Sequence, residues 1–226
     1  MFLMKRARKL RGLGLSFYNR SIGLKPRSEE PYATHVPILL GVAAACKPEL
    51  LIEFGSGTFS TLLFLNRAAF PSLRKVESYE NNREWFEQVK GKLPSDASID
   101  LHFFDDEMHR AVGQANTANA TMIFIDDSPT DKARVPTIVE VARSCGTQPV
   151  VVLHDCDLWR LRLATRKFEH RVVFASYNPQ SCVMWNGHPE RRRAMENVSR
   201  IIQKYATSIP ATDVAAWINI FSSDLA

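Results

Sequence analysis

The chain has 226 residues and carries 29 Lys and Arg against 24 Asp and Glu. Its apolar fraction of 45% and charged fraction of 23% are those of an ordinary globular protein, which excludes a disordered, collagen-like or disulfide-scaffold chain. The longest near-apolar run, Val36 to Cys46, is well under the roughly 18 residues that a membrane span needs.

The net charge of +5 is unevenly placed. Residues 1–28 hold Lys5, Arg6, Arg8, Lys9, Arg11, Arg20, Lys25 and Arg27, and no acid. Without those eight, 21 basic residues face 24 acidic ones, so the body is mildly acidic. Residues 1–30 therefore read as a basic arm on a domain spanning 31–226. Basic residues alternate there with Phe2, Leu3, Leu10, Leu13, Leu15 and Phe17. The arm has three readings: a solvated or substrate-side arm, a short helix in peripheral contact with an anionic membrane, or an organelle-targeting segment. Cys46, Cys145, Cys156 and Cys182 form no C-x-x-C pair, which predicts reduced thiols and a cytoplasmic protein.

Tyr32 to Cys46 reads as a helix leading into a sheet. Five short apolar runs follow: Leu50–Phe54, Lys75–Tyr79, Ile99–Phe104, Thr121–Ile125 and Val150–His154. Between them, Trp85, Phe86, Val89 and Leu93 keep helical spacing, as do Val135, Ile138, Val139 and Ala142, and then Leu161, Ala164 and Phe168. Strands alternating with helices imply a parallel sheet covered on both faces, whose strands are apolar on both sides. Arg171–Ser176 and Ser181–Trp185 are joined too tightly for a parallel crossover, so they predict a terminal antiparallel hairpin. Helices are expected over about Glu190 to Tyr205 and Ala215 to Phe221.

The first strand runs into Gly55-Ser56-Gly57-Thr58-Phe59-Ser60 and then Thr61-Leu62-Leu63-Phe64-Leu65, predicting strand, glycine loop and helix. Glycines allow a sharp turn and close approach to a ligand, and the amides of a helix start favour an anionic group. A P-loop needs a Lys that is absent. A dinucleotide fingerprint needs a third glycine, where Ser60 stands. S-adenosylmethionine is the third candidate, because its carboxylate can use the same amides.

The ordered set of motifs resembles class I S-adenosylmethionine-dependent methyltransferases. Glu53-Phe54-Gly55-Ser56-Gly57 is similar to their first motif, and Val76-Glu77-Ser78-Tyr79-Glu80 to the second, a strand ending in an acid. Phe104-Asp105-Asp106 falls where they place a polar residue beside adenine. Thr121–Asp127 is similar to their fourth strand, and the terminal hairpin to their reversed seventh. The resemblance covers about residues 32–187. It implies a Rossmann-like three-layer α/β/α sandwich with a mostly parallel seven-stranded sheet. In that reading Glu53, Gly55, Ser56, Gly57, Ser60, Glu80, Asp106 and Asp126 bind the cofactor. Glu80 takes the ribose hydroxyls, with Glu77 less well placed, and Asp106 or Asp105 meets the adenine amino group. Glu53 either braces the loop or meets the cofactor's ammonium.

Two strand ends are crowded with polar groups: Ile125-Asp126-Asp127-Ser128-Pro129 and Leu153-His154-Asp155-Cys156-Asp157. Four carboxylates there repel one another unless protonated, spread apart or neutralised by a cation. The spacing resembles catechol-type and caffeoyl-coenzyme A-type O-methyltransferases. That resemblance implies a divalent cation such as Mg²⁺ on Asp126 and Asp155, with Cys156 where that group has Asn. Thiolate is a poor ligand for so hard a cation. Without a metal, His154 or Asp155 is the candidate general base for a hydroxyl acceptor, so Asp126, His154 and Asp155 form the candidate catalytic set. The expected activity is methylation of an oxygen on a small-molecule or glycan-like acceptor. The alternatives are a nicotinamide-linked oxidoreductase and a non-catalytic binding protein of the same fold. Nucleic acid is not the expected acceptor, since no N-P-P-Y-type motif follows the fourth strand.

Overall fold

A computed structural model describes residues 31–225 apart from Pro129, so the basic arm lies outside the described residues. Seven strands form one sheet: β1 (Leu50–Phe54), β2 (Lys75–Glu80), β3 (Ile99–Phe103), β4 (Met122–Ile125), β5 (Val150–Leu153), β6 (His170–Phe174) and β7 (Ser181–Trp185). Their spatial order is β3-β2-β1-β4-β5-β7-β6. The first five are parallel, and β7 runs antiparallel to both β5 and β6. The expected hairpin is therefore present, and its second strand is inserted beside β5, leaving β6 at the edge.

Side chains alternate across the central strands, and each face finds a cover. Leu51, Phe124, Val152 and Val183 pack in one core with α1 (Val36–Cys46), α6 (Arg191–Tyr205) and α7 (Val214–Asp224). Ile52, Ile123, Val151 and Leu153 pack in the other with α3 (Met108–Val112), α4 (Asp131–Ser144) and α5 (Trp159–Ala164). The remaining helix, α2 (Arg83–Lys90), starts where the Asn82 side chain accepts from the Trp85 amide, and packs on β2 and β3. This is the three-layer α/β/α architecture expected from the alternating pattern. No helix among the described residues is long and apolar enough to cross a membrane.

The local expectations fail in three places. The glycine loop is not followed by an α-helix. Residues 58–62 form turns that end in a 3₁₀ turn at Leu63–Leu65. The Asn66 side chain then accepts from the amides of Ala68 and Ala69 and starts a new turn. In α4 the buried stripe is Arg134, Thr137, Ile138 and Val141, one residue round from the predicted one, and Val139 is exposed. Between β3 and β4 the short α3 was not foreseen. Its buried residues are Met108, Ala111 and Val112.

Candidate active site

Hydrogen bonds carry the ladder one residue beyond several strands. Gly55 N–H donates to Tyr79 O, Asp126 N–H to Phe54 O, and His154 N–H to Ile125 O. The functional segments therefore line the carboxyl edge side by side, where parallel sheets bind ligands. Gly55 has φ +91°, and a Cβ there would lie 2.4–2.5 Å from the backbone of Asp126 and Asp127. No other residue fits, because β4 passes so close to the turn.

On the β1–β2 side, Glu53 and Glu80 are held by neutral donors. Thr61 and Ser78 hydroxyls donate to Glu53 Oε2 at 2.6 and 2.5 Å. Burial pushes Glu53 up to about 7, against the pull of the Ser60, Ser78 and Thr61 hydroxyls. The loop-bracing role is thus present, since Thr61 Oγ1 also accepts from the Gly57 amide at 2.9 Å. Glu80 accepts from the Ser56 hydroxyl at 3.1 Å and from the amides of Asn81 and Asn82 at 3.0 and 2.8 Å. It is buried, which raises its pKa against those bonds. Glu77 is occupied elsewhere, paired with Lys75 at 2.7 Å. Trp85 Nε1–H donates to Ser56 O at 2.6 Å and ties α2 to the loop. Asp106 is exposed and already partnered. Its oxygens accept from the Glu107 amide and from Arg110, both at 2.7 Å, while Asp105 is exposed and makes no such bond.

On the β4–β5 side, one buried cation organises the acids. Arg134, almost fully buried, reaches from the first turns of α4 into the cluster. Its Nη2 donates to Asp126 Oδ1 at 2.8 Å and to Ser128 O, and its Nη1 to His154 O at 2.9 Å. It also stands 3.5 Å from Asp127 Oδ1 and from Asp155 Oδ2. This is the neutralising cation that the crowded acids require, and it is a side chain. Burial disfavours the Arg134 charge, but Asp126, Asp155 and Asp127 outweigh it and raise its pKa. Burial also opposes ionisation of Asp126, yet His154 and Arg134 hold that carboxyl well below its ordinary value. Asp127 accepts from the Thr137 hydroxyl at 2.6 Å, and burial pushes it up to about 6. The residues present do not fit a hard cation shared by Asp126 and Asp155, because the guanidinium already bridges them.

His154 sits behind this cluster with both ring nitrogens engaged. Nδ1 is 3.2 Å from Asp126 Oδ2, and Nε2 is 2.9 Å from the buried Thr34 hydroxyl. Burial disfavours its protonation, but Asp126 outweighs that and raises the pKa. It is enclosed, whereas Asp155, with φ +60° and a side chain 35% exposed, faces solvent. Cys156 lies outside the polar cluster: its thiol is buried beside Cys182, and its amide donates to Gln180 O. All four cysteines are free. Ser56 and Ser60 are buried in the glycine loop.

Arg134, Thr34 and His35 were missed by sequence reasoning. The available signal for Arg134 is its place on the apolar stripe of α4, at helical spacing from Ile138 and Val141. Thr34 and His35 precede α1 and meet His154 across 120 positions, a distance no local pattern carries.

No protein-family model matches the chain, and no characterised protein matches it by sequence. Solved structures match its fold. The human methyltransferase-like protein 13, in complex with SAH, aligns with a TM-score of 0.51 at 16% identity, covering 77% of this chain and 93% of that one. A putative caffeoyl-CoA O-methyltransferase from Staphylococcus aureus gives 0.53 at 10%, covering 82% and 98%. A probable spermidine synthase from Corynebacterium glutamicum gives 0.54 at 12%, covering 83% and 77%. The chain thus has the Rossmann-like fold of class I methyltransferases.

Proposed function

We propose that the protein is an S-adenosylmethionine-dependent methyltransferase acting on an oxygen of a small-molecule or glycan-like acceptor. One observation carries the reading. A glycine turn with no room for a Cβ, a buried carboxylate at the end of β2, and the acidic ends of β4 and β5 share one carboxyl edge. S-adenosylmethionine fits these groups. Gly55, Ser56, Gly57 and Ser60 border its methionine end, and Glu53 has one buried oxygen, Oε1, that the hydrogen bonds of Thr61 and Ser78 leave unused. Glu80 retains acceptor capacity for a ribose. Asp105 is better placed than Asp106 for the adenine amino group, because Arg110 and the Glu107 amide occupy Asp106.

When bound, the cofactor supplies an electrophilic methyl group. The chain's own residues position the acceptor. Asp155 is the member of the acidic set that an acceptor hydroxyl reaches from solvent, and it takes that proton or holds it in a hydrogen bond. Arg134 and His154 fix the surrounding carboxylates, so Asp126 and His154 are positioning residues here. Exposed Tyr32 and Trp159 flank the start of α1 and of α5, as aromatic faces for a ring-bearing acceptor. The fold, its carboxylate edge and free thiols support a cytoplasmic enzyme, with residues 1–28 available for an anionic acceptor or membrane surface. The test is calorimetric titration of the full chain with S-adenosylhomocysteine and with NADH. Binding of the first alone is expected. Heat with NADH and none with S-adenosylhomocysteine, well above micromolar, would overturn the reading in favour of an oxidoreductase.

A further inference from the structure

A buried polar knot lies where the start of α1 meets the ends of β4 and β5. His35 is its unexplained member. It is 3% exposed, sits against the rings of Phe124 and His154, and neither of its ring nitrogens has a hydrogen-bond partner. A nitrogen of His35, a carboxylate oxygen of Asp126 and a nitrogen of His154 all lie within 4.8 Å of one another.

We propose that His35, Asp126 and His154 hold a borderline divalent transition-metal ion, of which Zn²⁺ is the reference case. Two imidazoles and one carboxylate suit Zn²⁺ or Fe²⁺ and not Mg²⁺, which prefers an all-oxygen shell. Three protein ligands leave the fourth position for a water molecule. The site differs from an oxygen-only site on Asp126 and Asp155, because the two oxygens of Asp126 divide their work. Oδ1 stays with Arg134, and Oδ2 turns to His154. Ligands of a four-coordinate Zn²⁺ stand about 3.3 Å apart. The 3.2 Å gap between Asp126 Oδ2 and His154 Nδ1 already has that length, and a swing of the unpaired His35 ring closes the rest.

The surroundings of His154 and Asp126 match what a ligated centre requires, while His35 contributes an unpartnered ring. Ligating imidazoles hand their second nitrogen to an oxygen, and ligating carboxylates are themselves hydrogen-bonded. Thr34 Oγ1 at 2.9 Å from His154 Nε2 fills the first role, and Arg134 fills the second. The Thr34 hydroxyl works in both states. With a neutral His154 in the ion-free chain, the hydroxyl can donate to Nε2 while Nδ1–H donates to Asp126. With an ion on Nδ1 the proton moves to Nε2, and the hydroxyl accepts it.

The test strips untagged full-length protein with EDTA and titrates it with Co²⁺ by visible absorption, with Zn²⁺ in competition. One ion per chain is expected, with ligand-field bands and no thiolate charge-transfer band. His35→Ala and Asp126→Asn should each weaken binding at least about tenfold. Asp155→Asn should change it by less than about threefold. Circular dichroism reports folding, and His154→Ala replaces any variant that does not fold. No uptake by the wild-type chain well above micromolar overturns the proposal. So does uptake that survives His35→Ala, or that is lost only in Asp155→Asn. The site is independent of methyl transfer, so a failure to bind S-adenosylhomocysteine leaves it standing.

Discussion

The two halves of the carboxyl edge solve the same problem in opposite ways. At the ends of β1 and β2, Glu53 and Glu80 are buried among hydroxyls and backbone amides, and no ion pair reaches them among the described residues. Their pKa values rise. At the ends of β4 and β5, Asp126 and Asp155 gather around Arg134, and Asp126 is held ionised. Burial, opposed only by neutral donors, raises the pKa of these carboxylates, and such donors can exchange partners with a ligand's hydroxyls. His154 and the buried guanidinium together hold the Asp126 carboxylate charged, and the guanidinium fixes it in place.

The largest expected effect is removal of that guanidinium. Arg134→Met leaves three acids without their buried cation and should destabilise the protein by about 3–5 kcal/mol in urea unfolding. Arg134→Lys should recover little of this, because an ammonium cannot reproduce the planar fork that meets Asp126, Ser128 and His154 together. A loss under about 1 kcal/mol for Arg134→Met would break the contrast between the halves.

Next comes the pH dependence of the β1 side. Glu53 has a pKa near 7 when folded, above its ordinary 4.5. The folded chain therefore keeps a proton that the unfolded chain releases. The stability this contributes is full below pH 4.5 and is lost as pH rises toward 7, by about 3 kcal/mol. Glu53→Gln should flatten that decline in denaturation curves taken across the interval. Asp126, shifted downward, has the opposite sign: its contribution is present above its ordinary 3.8 and is lost as pH falls below it.

Two smaller effects sharpen the ligand side of the comparison. Glu80→Ala should weaken S-adenosylhomocysteine binding by about 2 kcal/mol, roughly thirtyfold, in calorimetry. Unchanged affinity would remove Glu80 from the site. Asp106→Ala should shift that affinity by less than about threefold, since its exposed oxygens serve Arg110 and a helix start. A larger loss for Asp105→Ala would place the adenine contact at Asp105.

The same division separates what was legible in the chain from what was not. The central strands could be read because burial on both faces leaves continuous apolar runs such as Met122–Ile125 and Val150–Leu153. The glycine turn and the acid at the end of β2 could be read because both are local and sit at a strand end. Arg134 could not. In Asp131-Lys132-Ala133-Arg134 it looks like one more charge on a solvated first turn, and only the exact rotation of α4 buries it. Asp106 misled for the converse reason: its position fitted the expected role, but Arg110, one helical turn on, claims its carboxylate. Residues 61–65 look helical but form turns and a 3₁₀ segment, and the Asn66 side chain then captures the amides of Ala68 and Ala69 and starts a new turn. His35 and Thr34 acquire their partners only through tertiary packing.

The reversed β7 has a consequence for how the molecule divides its labour. Because β7 runs against β5, its first residues, and the segment 175–180 that leads into it, arrive at the carboxyl edge where β5 ends. Gln180 fixes this junction by accepting from the Cys156 amide and, through its side chain, from Arg162. The β5 end of the carboxyl edge is thus bordered by a connection that carries none of the groups proposed for the cofactor. Changes of sequence in residues 175–179 can therefore reshape that end of the edge while the ends of β1 and β2 keep their geometry.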